Sequence, residues 1–249
     1  MKKILILIFV ICACASSKWG GTWLSQLSDW QKESPEKNYS IQPDLTVTRK
    51  SVPSLRFEIR HTEGYETPNS FTFRSQISTN VFPEKYSEKF YACSILLPRQ
   101  FPQENNRLVL MEWWPKTKKK LGEVGRNPSL SLSYVNGLLH AIIRHSDVLV
   151  IHKPEAVPSV TLFKTSHFPL GVWNDFLFQV KWSPKKDGQV TMWWNGKEVG
   201  NYNGPVGYDD LEAPLFKFGL YRDDSELTYV AFFSECRMGN NLRDVQPKQ

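Results

Sequence analysis

The stretch GQVTMWWNGKEVGNYN, residues 188–203, predicts two β-strands joined by a tight turn. Asn195 and Gly196 lie between two runs of strand-forming residues, and both positions of a two-residue hairpin turn need a positive φ that Asn-Gly adopts readily. The same dipeptide recurs as Asn136-Gly137 between two further apolar runs. Two hairpins of this type indicate an antiparallel, all-β chain.

The rest of the chain consists of short strand-forming runs separated by Pro, Gly, Asn and Asp. About eleven strands are expected, namely LTVTRK, SLRFEIR, SFTFRSQIS, KFYACSILLP, NRLVLMEWW, SLSLSYVNGLLHAIIRH, VLVIHK, DFLFQVKWS, GQVTMWWNGKEVGNYN, LFKFGLYR and TYVAFFSECRM. Without repeats or linkers, they favour one antiparallel β-sandwich of the jelly-roll type. We predict this domain over residues 46–249, after a loosely structured lead-in over residues 18–45.

The N-terminal stretch MKKILILIFVICACASS, residues 1–17, has two lysines, an apolar run and then small residues. That composition predicts a secretory signal peptide, and the run is too short for a membrane span. ICAC resembles a bacterial lipobox, which would make Cys14 a lipidated N-terminus; the alternative is ordinary cleavage near Ala13 or Ala15. We expect a secreted or cell-envelope protein of a bacterium, attached to a membrane only through a lipid on Cys14.

Composition narrows the classes of partner. Removing Lys2 and Lys3 with the leader leaves 29 of the 31 basic residues against 25 acidic ones, a formal net charge of +4. This is a mild bias toward acidic partners and falls short of a nucleic-acid-binding footprint. No phosphate loop, metal-ligand spacing or nucleophile triad is visible, so no cofactor or metal is expected, and we expect a monomer. Cys93 and Cys236 are candidates for one disulfide or for two buried thiols.

Strand alternation places polar side chains together on one face of three strands. The rows are Arg56, Glu58 and Arg60; Leu108, Leu110, Glu112 and Trp114; and Lys217, Gly219 and Tyr221. One such row alone is what the solvent face of a sandwich strand shows. If the three strands lie side by side on a concave sheet, their cations and aromatic rings suit the carboxylates and rings of an acidic polysaccharide.

These segments resemble the signature strands of polysaccharide lyases with a concanavalin-like jelly roll, the group of alginate lyases, glucuronan lyases and heparin lyase I-like enzymes. The family's strands contain Arg-x-Glu-x-Arg, Gln-x-His and Lys-x-Gly-x-Tyr, and RFEIR (56–60) and KFGLYR (217–222) fit the first and third. The likeness extends from about Leu55 to Gly239. It implies a sandwich with a concave substrate cleft.

The resemblance also implies a reaction, cleavage of a uronate polymer by β-elimination. The sugar carboxylate must be neutralised, a base must remove the adjacent proton, and an acid must protonate the departing O4. By the motif match, Tyr221 is the acid and base, and Lys217 and Arg222 supply positive charge that favours a phenolate. Arg56 and Arg60 are implied to bind the carboxylate, because a guanidinium matches a carboxylate with two hydrogen bonds.

The second motif departs from the family. In place of Gln-x-His the chain has Glu112-Trp113-Trp114. An ionised Glu112 would repel a uronate at close range, unless it is protonated, paired with an arginine or bound to another sugar group. Trp114 cannot transfer a proton but can stack on a sugar ring. Glu58 is implied to orient the arginines beside it.

Histidines elsewhere are candidates to replace the missing imidazole. His140 and His145 are five residues apart in one strand, so they lie on opposite faces and at most one reaches the cleft. Arg144 shares the face of His140. We take Arg144 and His145 as candidate substrate-binding residues.

Two alternative functions stay open. A degenerate member of the family would bind carbohydrate without cleaving it, and loss of the Gln and His is what such a change would produce. A glycoside hydrolase on the same sandwich would need two carboxylates about 5 to 10 Å apart across the cleft. Glu58 and Glu112 are the candidate pair for that reaction.

Overall fold

The computed structural model describes Leu27, residues 30–67 and residues 70–246. The predicted signal peptide and Cys14 lie outside the described residues. One short α-helix, α1 (Leu242–Val245), is present in this part of the chain, with single 3-10 turns at Lys119–Leu121 and Pro154–Ala156. No helix among the described residues is long and apolar enough to cross a membrane.

The other regular secondary structure of the described residues consists of β-strands. These are β1 (Gln31–Glu33), β2 (Ile41–Arg49), β3 (Val52–Ile59), β4 (Tyr65–Thr67), β5 (Ser70–Ser78), β6 (Glu88–Leu96), β7 (Leu108–Trp114), β8 (Leu130–Val135), β9 (Leu138–Ser146), β10 (Ser159–Thr165), β11 (Asn174–Lys181), β12 (Gln189–Trp194), β13 (Lys197–Asn203), β14 (Gly207–Tyr208), β15 (Leu215–Arg222) and β16 (Tyr229–Gly239).

The strands form two sheets packed face to face. The nine-stranded sheet has the order β1-β5-β15-β7-β8-β9-β10, with β4 added beside β5 and β14 beside β9. The seven-stranded sheet has the order β13-β12-β11-β6-β16-β3-β2. All the ladders are antiparallel except the short one between β14 and β9. The predicted antiparallel sandwich is confirmed.

Both predicted Asn-Gly hairpins are present. Asn136 and Gly137 have φ values of 45° and 83°, and Asn195 and Gly196 have values of 50° and 79°, the conformation that a two-residue turn with the strand twist requires. These turns join β8 to β9 and β12 to β13.

Two expectations about local structure are wrong. The stretch VLVIHK (148–153) is not a strand, because Ile151 bonds through its N–H to the Glu123 carboxylate (3.0 Å) and through its carbonyl to the loop residue Val124. The predicted lead-in also contains β1, which pairs with β5, and the first residues of β2, which pairs with β3 and continues into the predicted strand LTVTRK.

Aromatic side chains fill the space between the sheets. Trp113 of β7 is fully buried and stacks on Phe216 of β15 with ring centroids 5.3 Å apart. Phe178 of the opposite sheet contacts Trp113 at 5.0 Å, and Phe57 contacts Phe218 at 5.8 Å. Burying each such ring contributes about 1.5–3 kcal/mol. The core therefore fixes which side chains of β7 and β15 point inward. The residues that alternate with them must point outward.

The two cysteines form a disulfide, which decides between the alternatives that the sequence left open. Cys93 of β6 and Cys236 of β16 are bonded within the buried core, 143 residues apart in sequence. Since these are neighbouring strands of the seven-stranded sheet, the bond joins the sixth strand of the chain to the last one.

Removing this cross-link should lower stability. A Cys93→Ala/Cys236→Ala variant should lose about 3–5 kcal/mol in the free energy of unfolding, because a bond closing so long a loop restricts the unfolded chain. Urea denaturation followed by tryptophan fluorescence measures the change. Reductant should shift the wild-type curve and leave the variant's curve in place; a wild-type midpoint insensitive to reductant would contradict the prediction.

Candidate functional site

Three adjacent strands of the nine-stranded sheet carry a group of polar side chains on the face that points away from the core. β15 lies in the centre, between β5 and β7. Its Tyr221 is opposite Arg74 of β5, and its Lys217 is opposite Glu112 of β7. We call this surface the polar face; its central members are Arg74, Gln76, Glu112, Trp114, Lys217 and Tyr221.

Bulges in the two ladders set which residues reach the polar face. The register of β7 shifts between Val109 and Met111, so Leu108 and Leu110 turn into the core. The expectation that these two leucines share a face with Glu112 is therefore wrong, because one extra residue reverses the alternation. Trp113 points inward and Trp114 outward, as the alternation predicts.

The matching irregularity in β15 occurs at Gly219. Its φ is 129°, and a Cβ there would lie 2.4 Å from the backbone oxygen of Ser75. Only glycine fits this close approach of β15 to β5. The bulge allows Tyr221 to pair with Val109 while Lys217 pairs with Glu112.

Tyr221 lies between two guanidinium groups. The Cζ of Arg74 is 4.3 Å from the centroid of its ring and the Cζ of Arg107 is 4.8 Å away. Arg107 is held in turn by Asp223 at 2.6 Å. Burial opposes the charge of Arg107, but hydrogen bonds to Asp223 and Tyr221 outweigh it and raise the pKa of the guanidinium. The phenol is therefore surrounded by fixed positive charge.

Trp114 extends this cationic surface. Its ring lies 5.4 Å from the Lys217 ammonium and 5.8 Å from the Arg74 guanidinium. The indole is partly exposed, so one of its faces remains available to a ligand.

A carboxylate from β1 binds the same two cations. Glu33 accepts a hydrogen bond from the Lys217 ammonium at 2.6 Å and forms an ion pair with Arg74. Burial opposes its ionisation, but the charges and hydrogen bonds of Lys217 and Arg74 prevail and lower the pKa of Glu33. Sequence reasoning missed this residue because β1 was assigned to the lead-in.

Beneath these ion pairs are two buried polar side chains without partners. Glu112 and Gln76 are fully buried, and neither carboxylate oxygen nor either amide atom has a hydrogen-bond partner among the described residues. Burial raises the pKa of Glu112 and outweighs the opposing charges of Arg74 and Lys217. Glu112 therefore holds its proton more tightly than an ordinary glutamate.

Arg74 and Gln76 are functional candidates that the sequence analysis did not select. The signal was present, because alternation in SFTFRSQIS places Arg74, Gln76 and Ser78 on one face opposite Phe73 and Ile77. The sequence analysis assigned carboxylate binding to Arg56 and Arg60 instead, because RFEIR matches the family's Arg-x-Glu-x-Arg motif.

The first predicted row lies elsewhere. Arg56, Glu58 and Arg60 belong to or follow β3, which is a strand of the seven-stranded sheet. Leu55, Phe57 and Ile59 face the core, so the polar row faces outward on the opposite side of the sandwich, where Glu58 pairs with both arginines. Arg60 also stacks on Tyr39 at 3.6 Å. The expectation that these arginines share a surface with Tyr221 is wrong.

That placement also separates the two carboxylates considered for a hydrolase. Glu58 is on the outer surface of one sheet and Glu112 on the polar face of the other. The whole aromatic core lies between them, so they cannot flank one glycosidic bond.

Two further candidates point away from the polar face. Arg222 is buried and donates to the backbone oxygens of Arg60 (3.1 Å) and Asp223 (2.9 Å), and burial lowers its pKa. His145 follows the core-facing Ile143 in alternation and lines a cavity at the end of β9. Both lie away from the central group, so the expectation that they bind substrate there is wrong.

Arg144 and His140 do lie on the polar face, because Leu139, Ala141 and Ile143 of the same strand face the core. His140 is in register with Ser133 of β8, which pairs with Val109 and so continues the row of Tyr221. Three strand spacings of about 4.8 Å separate His140 from Tyr221. Burial, with the charges of Lys164 and Arg144, lowers the pKa of His140.

The residues that the structure describes contain no cluster of three or more His, Cys, Asp or Glu side chains able to hold a metal ion.

Comparison with known proteins adds a family and a fold. A model of the family described as polysaccharide lyase matches residues 21–237. The sequence has no match among curated proteins.

Solved structures share the architecture. The endo-β-1,4-glucuronan lyase of the fungus Trichoderma reesei is 18% identical with a TM-score of 0.75, over 90% of this chain and 96% of that one. Alginate lyase AlyC3 is 12% identical with a TM-score of 0.60, over 89% and 94%. An alginate lyase from Chlorella virus is 13% identical with a TM-score of 0.52, over 86% and 93%. These likenesses confirm the jelly-roll fold.

The buried Glu112 gives a testable signature in stability. Since its pKa is raised above the ordinary 4.5, the folded state binds its proton more tightly, and the wild type loses stability as pH rises from 4.5 to the raised pKa. Glu112→Gln should remove that loss and gain about 1 kcal/mol or more in free energy of unfolding at pH 7. Urea denaturation from pH 4 to 8 measures it.

The gain should vanish near pH 4, where both states are protonated. Glu66→Gln, at an exposed glutamate of β4, is the matched control and should change stability little at any pH. A gain for Glu112→Gln that does not vary with pH would show that Glu112 ionises normally.

Proposed function

The chain belongs to the polysaccharide lyase family, and from this premise we propose that it cleaves a uronate-containing polysaccharide by β-elimination on the polar face. The observation that carries the proposal is the placement of Tyr221 between Arg74 and Arg107. A phenol that can exchange a proton and guanidinium groups that can hold a carboxylate are the two elements that β-elimination from a uronate needs.

Arg74 is the proposed carboxylate-binding residue. Neutralising the sugar carboxylate makes the proton at C5 removable, because the charge that develops on that group in the transition state is then stabilised. The guanidinium of Arg74 offers two parallel donors for a carboxylate. Gln76, two residues along the same face, offers an amide donor without a partner.

Tyr221 is the proposed acid and base. The phenolate removes the C5 proton, the C4–O4 bond breaks as the C4–C5 double bond forms, and the phenol returns a proton to O4. The guanidinium groups of Arg74 and Arg107 lie against the Tyr221 ring, beside the point where the sugar carboxylate would be held. His140 lies three strands away from Tyr221, a backbone separation of about 14 Å, so both proton transfers are assigned to the tyrosine, as in a syn elimination.

The flanking polar face is the proposed binding surface for the rest of the polymer. Trp114 provides a partly exposed aromatic ring beside the central cations. Toward β9 and β10 the face continues through Ser131 and Ser133 to Arg144 and Lys164. A cationic, hydroxyl-bearing track of this kind suits a chain of acidic sugars.

The similar structures support an acidic substrate, since the glucuronan lyase and alginate lyases are named for polymers of uronic acids. The predicted leader over residues 1–17 supports a location outside the cytoplasm, where such polymers occur.

One alternative is favoured by a specific observation. Among the described residues, no imidazole contacts Tyr221, which is what a carbohydrate-binding protein that has lost catalysis would show. Binding of uronate polymers without formation of unsaturated products would favour this alternative.

Replacement of the phenol tests the enzyme assignment. Tyr221→Phe should lower the turnover number about 1,000-fold, within the range that loss of a general acid–base group costs. The measurement is the ultraviolet absorbance of unsaturated uronates released from glucuronan, alginate and heparin-type polymers. Tyr86→Phe, at an exposed tyrosine, should keep full activity. Full activity in Tyr221→Phe would contradict the assignment of Tyr221 as the acid and base.

A second pair of variants tests which arginine row binds the carboxylate. Arg74→Lys retains the charge but loses the two-donor geometry, and kcat/KM should fall about 100-fold. Arg56→Lys makes the same change on the opposite side of the sandwich and should leave kcat/KM unchanged. Equal losses in the two variants, measured on the best polymer, would contradict the placement of the site.

A further inference from the structure

We infer that the Glu33 carboxylate occupies the position that the substrate carboxylate takes, so that Glu33 is an internal competitor that sets the affinity of the site for uronates. The inference rests on the proposed function and adds a specificity-determining residue from β1. It means that a uronate must displace Glu33 before Arg74 and Lys217 can hold it.

The contacts of Glu33 are those of a bound anion. One carboxylate oxygen accepts from the Lys217 ammonium at 2.6 Å and the other pairs with the Arg74 guanidinium. Arg74 also lies against Tyr221, so this carboxylate is held next to the proposed acid and base. Carboxylates of a protein side chain and of a uronate have the same charge and geometry, and they compete for the same donors.

The groups beneath Glu33 remain unsatisfied while it is bound. Gln76 is its register partner across the β1–β5 ladder, and Glu112 is the partner of Lys217. Neither side chain has a hydrogen-bond partner among the described residues, although both are fully buried. Buried polar groups are nearly always paired in proteins. This lack of partners indicates that Glu33 pairs with the two cations, while the Gln76 and Glu112 side chains remain available to form hydrogen bonds with a ligand.

β1 is built so that Glu33 can move. It has three residues, lies at the edge of the sheet and is hydrogen-bonded to β5 alone. Short edge strands are held by few bonds and open at low cost. Beside Glu33 is a cavity of about 490 Å³ whose lining includes Tyr65 and Pro35, and this space can receive the displaced side chain.

Displacement keeps the charge of the site constant. The substrate carboxylate replaces one negative charge by another, so Arg74 and Lys217 stay paired and the net charge around the buried Glu112 does not change. A single uronate gains little from such an exchange, whereas a polymer adds contacts along Trp114 and the track toward β10. The internal carboxylate therefore weakens binding of both ligands by the same factor, and the added contacts are what allow the polymer to bind in spite of it.

Removing the competing charge tests the inference. In a Tyr221→Phe background, which prevents turnover, isothermal titration with a glucuronan tetrasaccharide and with free glucuronate should show about tenfold tighter binding for Glu33→Gln, since the fraction of competent site rises. The factor should be the same for both ligands, because both compete with the same carboxylate. In the active protein, KM should fall with little change in kcat.

Glu66→Gln, an equal change of charge at an exposed residue of neighbouring β4, is the matched control and should leave both affinities as they are. Glu33→Ala, checked by circular dichroism, gives a second removal of the carboxylate and should tighten binding in the same way. Unchanged or weaker binding in folded Glu33→Gln and Glu33→Ala would overturn the inference, because it would make Glu33 a positioning residue for Arg74.

The outcomes separate the inference from the proposed function. If polymers are cleaved but Glu33→Gln binds no more tightly, the lyase assignment stands and the inference fails. If no uronate polymer is cleaved but Glu33→Gln gains affinity for glucuronate, the competition stands and the lyase assignment fails.

Discussion

The packing of β15 is the constraint on which the site depends. Phe216, Phe218 and Leu220 face the core and are fully buried, and their burial fixes the strand to within the tolerance of a close-packed interior. Lys217 and Tyr221 must then face outward. Gly219 adds the bulge that brings Tyr221 opposite Val109 while Lys217 stays opposite Glu112, and the regular ladder with β5 places Tyr221 opposite Arg74. The free energy of the core thus positions the reactive side chains, which contribute little to stability themselves.

The electrostatics of the site are set by two cations that lie beside two carboxyl groups, those of Glu33 and Glu112. Arg74 and Lys217 can neutralise one carboxylate well, and Glu33 takes that place. Glu112 is left without a hydrogen-bonding partner, and burial raises its pKa; for Glu33, burial is outweighed by the charges and hydrogen bonds of Lys217 and Arg74, which lower its pKa. Environments that push two neighbouring pKa values apart are common at functional sites.

Local pattern predicts the face of a strand but not the sheet to which the strand belongs. Alternation correctly placed Lys217 and Tyr221 outward because β15 keeps its period on either side of the bulge. The same reasoning placed Arg56, Glu58 and Arg60 on an outward face, yet β3 pairs with β2 and β16 in the other sheet. Pairing over such distances is decided by packing that no short segment encodes. The bulge in β7 and the position of Glu33 beside Arg74 and Lys217 depend on tertiary contacts in the same way.

The presence of Glu112 where the family motif has Gln has a physical explanation. A glutamate where the family motif has an amide would repel a uronate if it were ionised, but burial raises the pKa of Glu112 and so opposes its ionisation, and the two cations beside it are already paired with Glu33. An amide is present on the neighbouring strand, as Gln76 across from Gly219. Since Gly219 has no side chain, nothing on β15 fills the position between Gln76 and the strand that carries Glu112. The loss of an amide at one position is therefore compatible with a site that holds a carboxylate through Arg74 and Gln76.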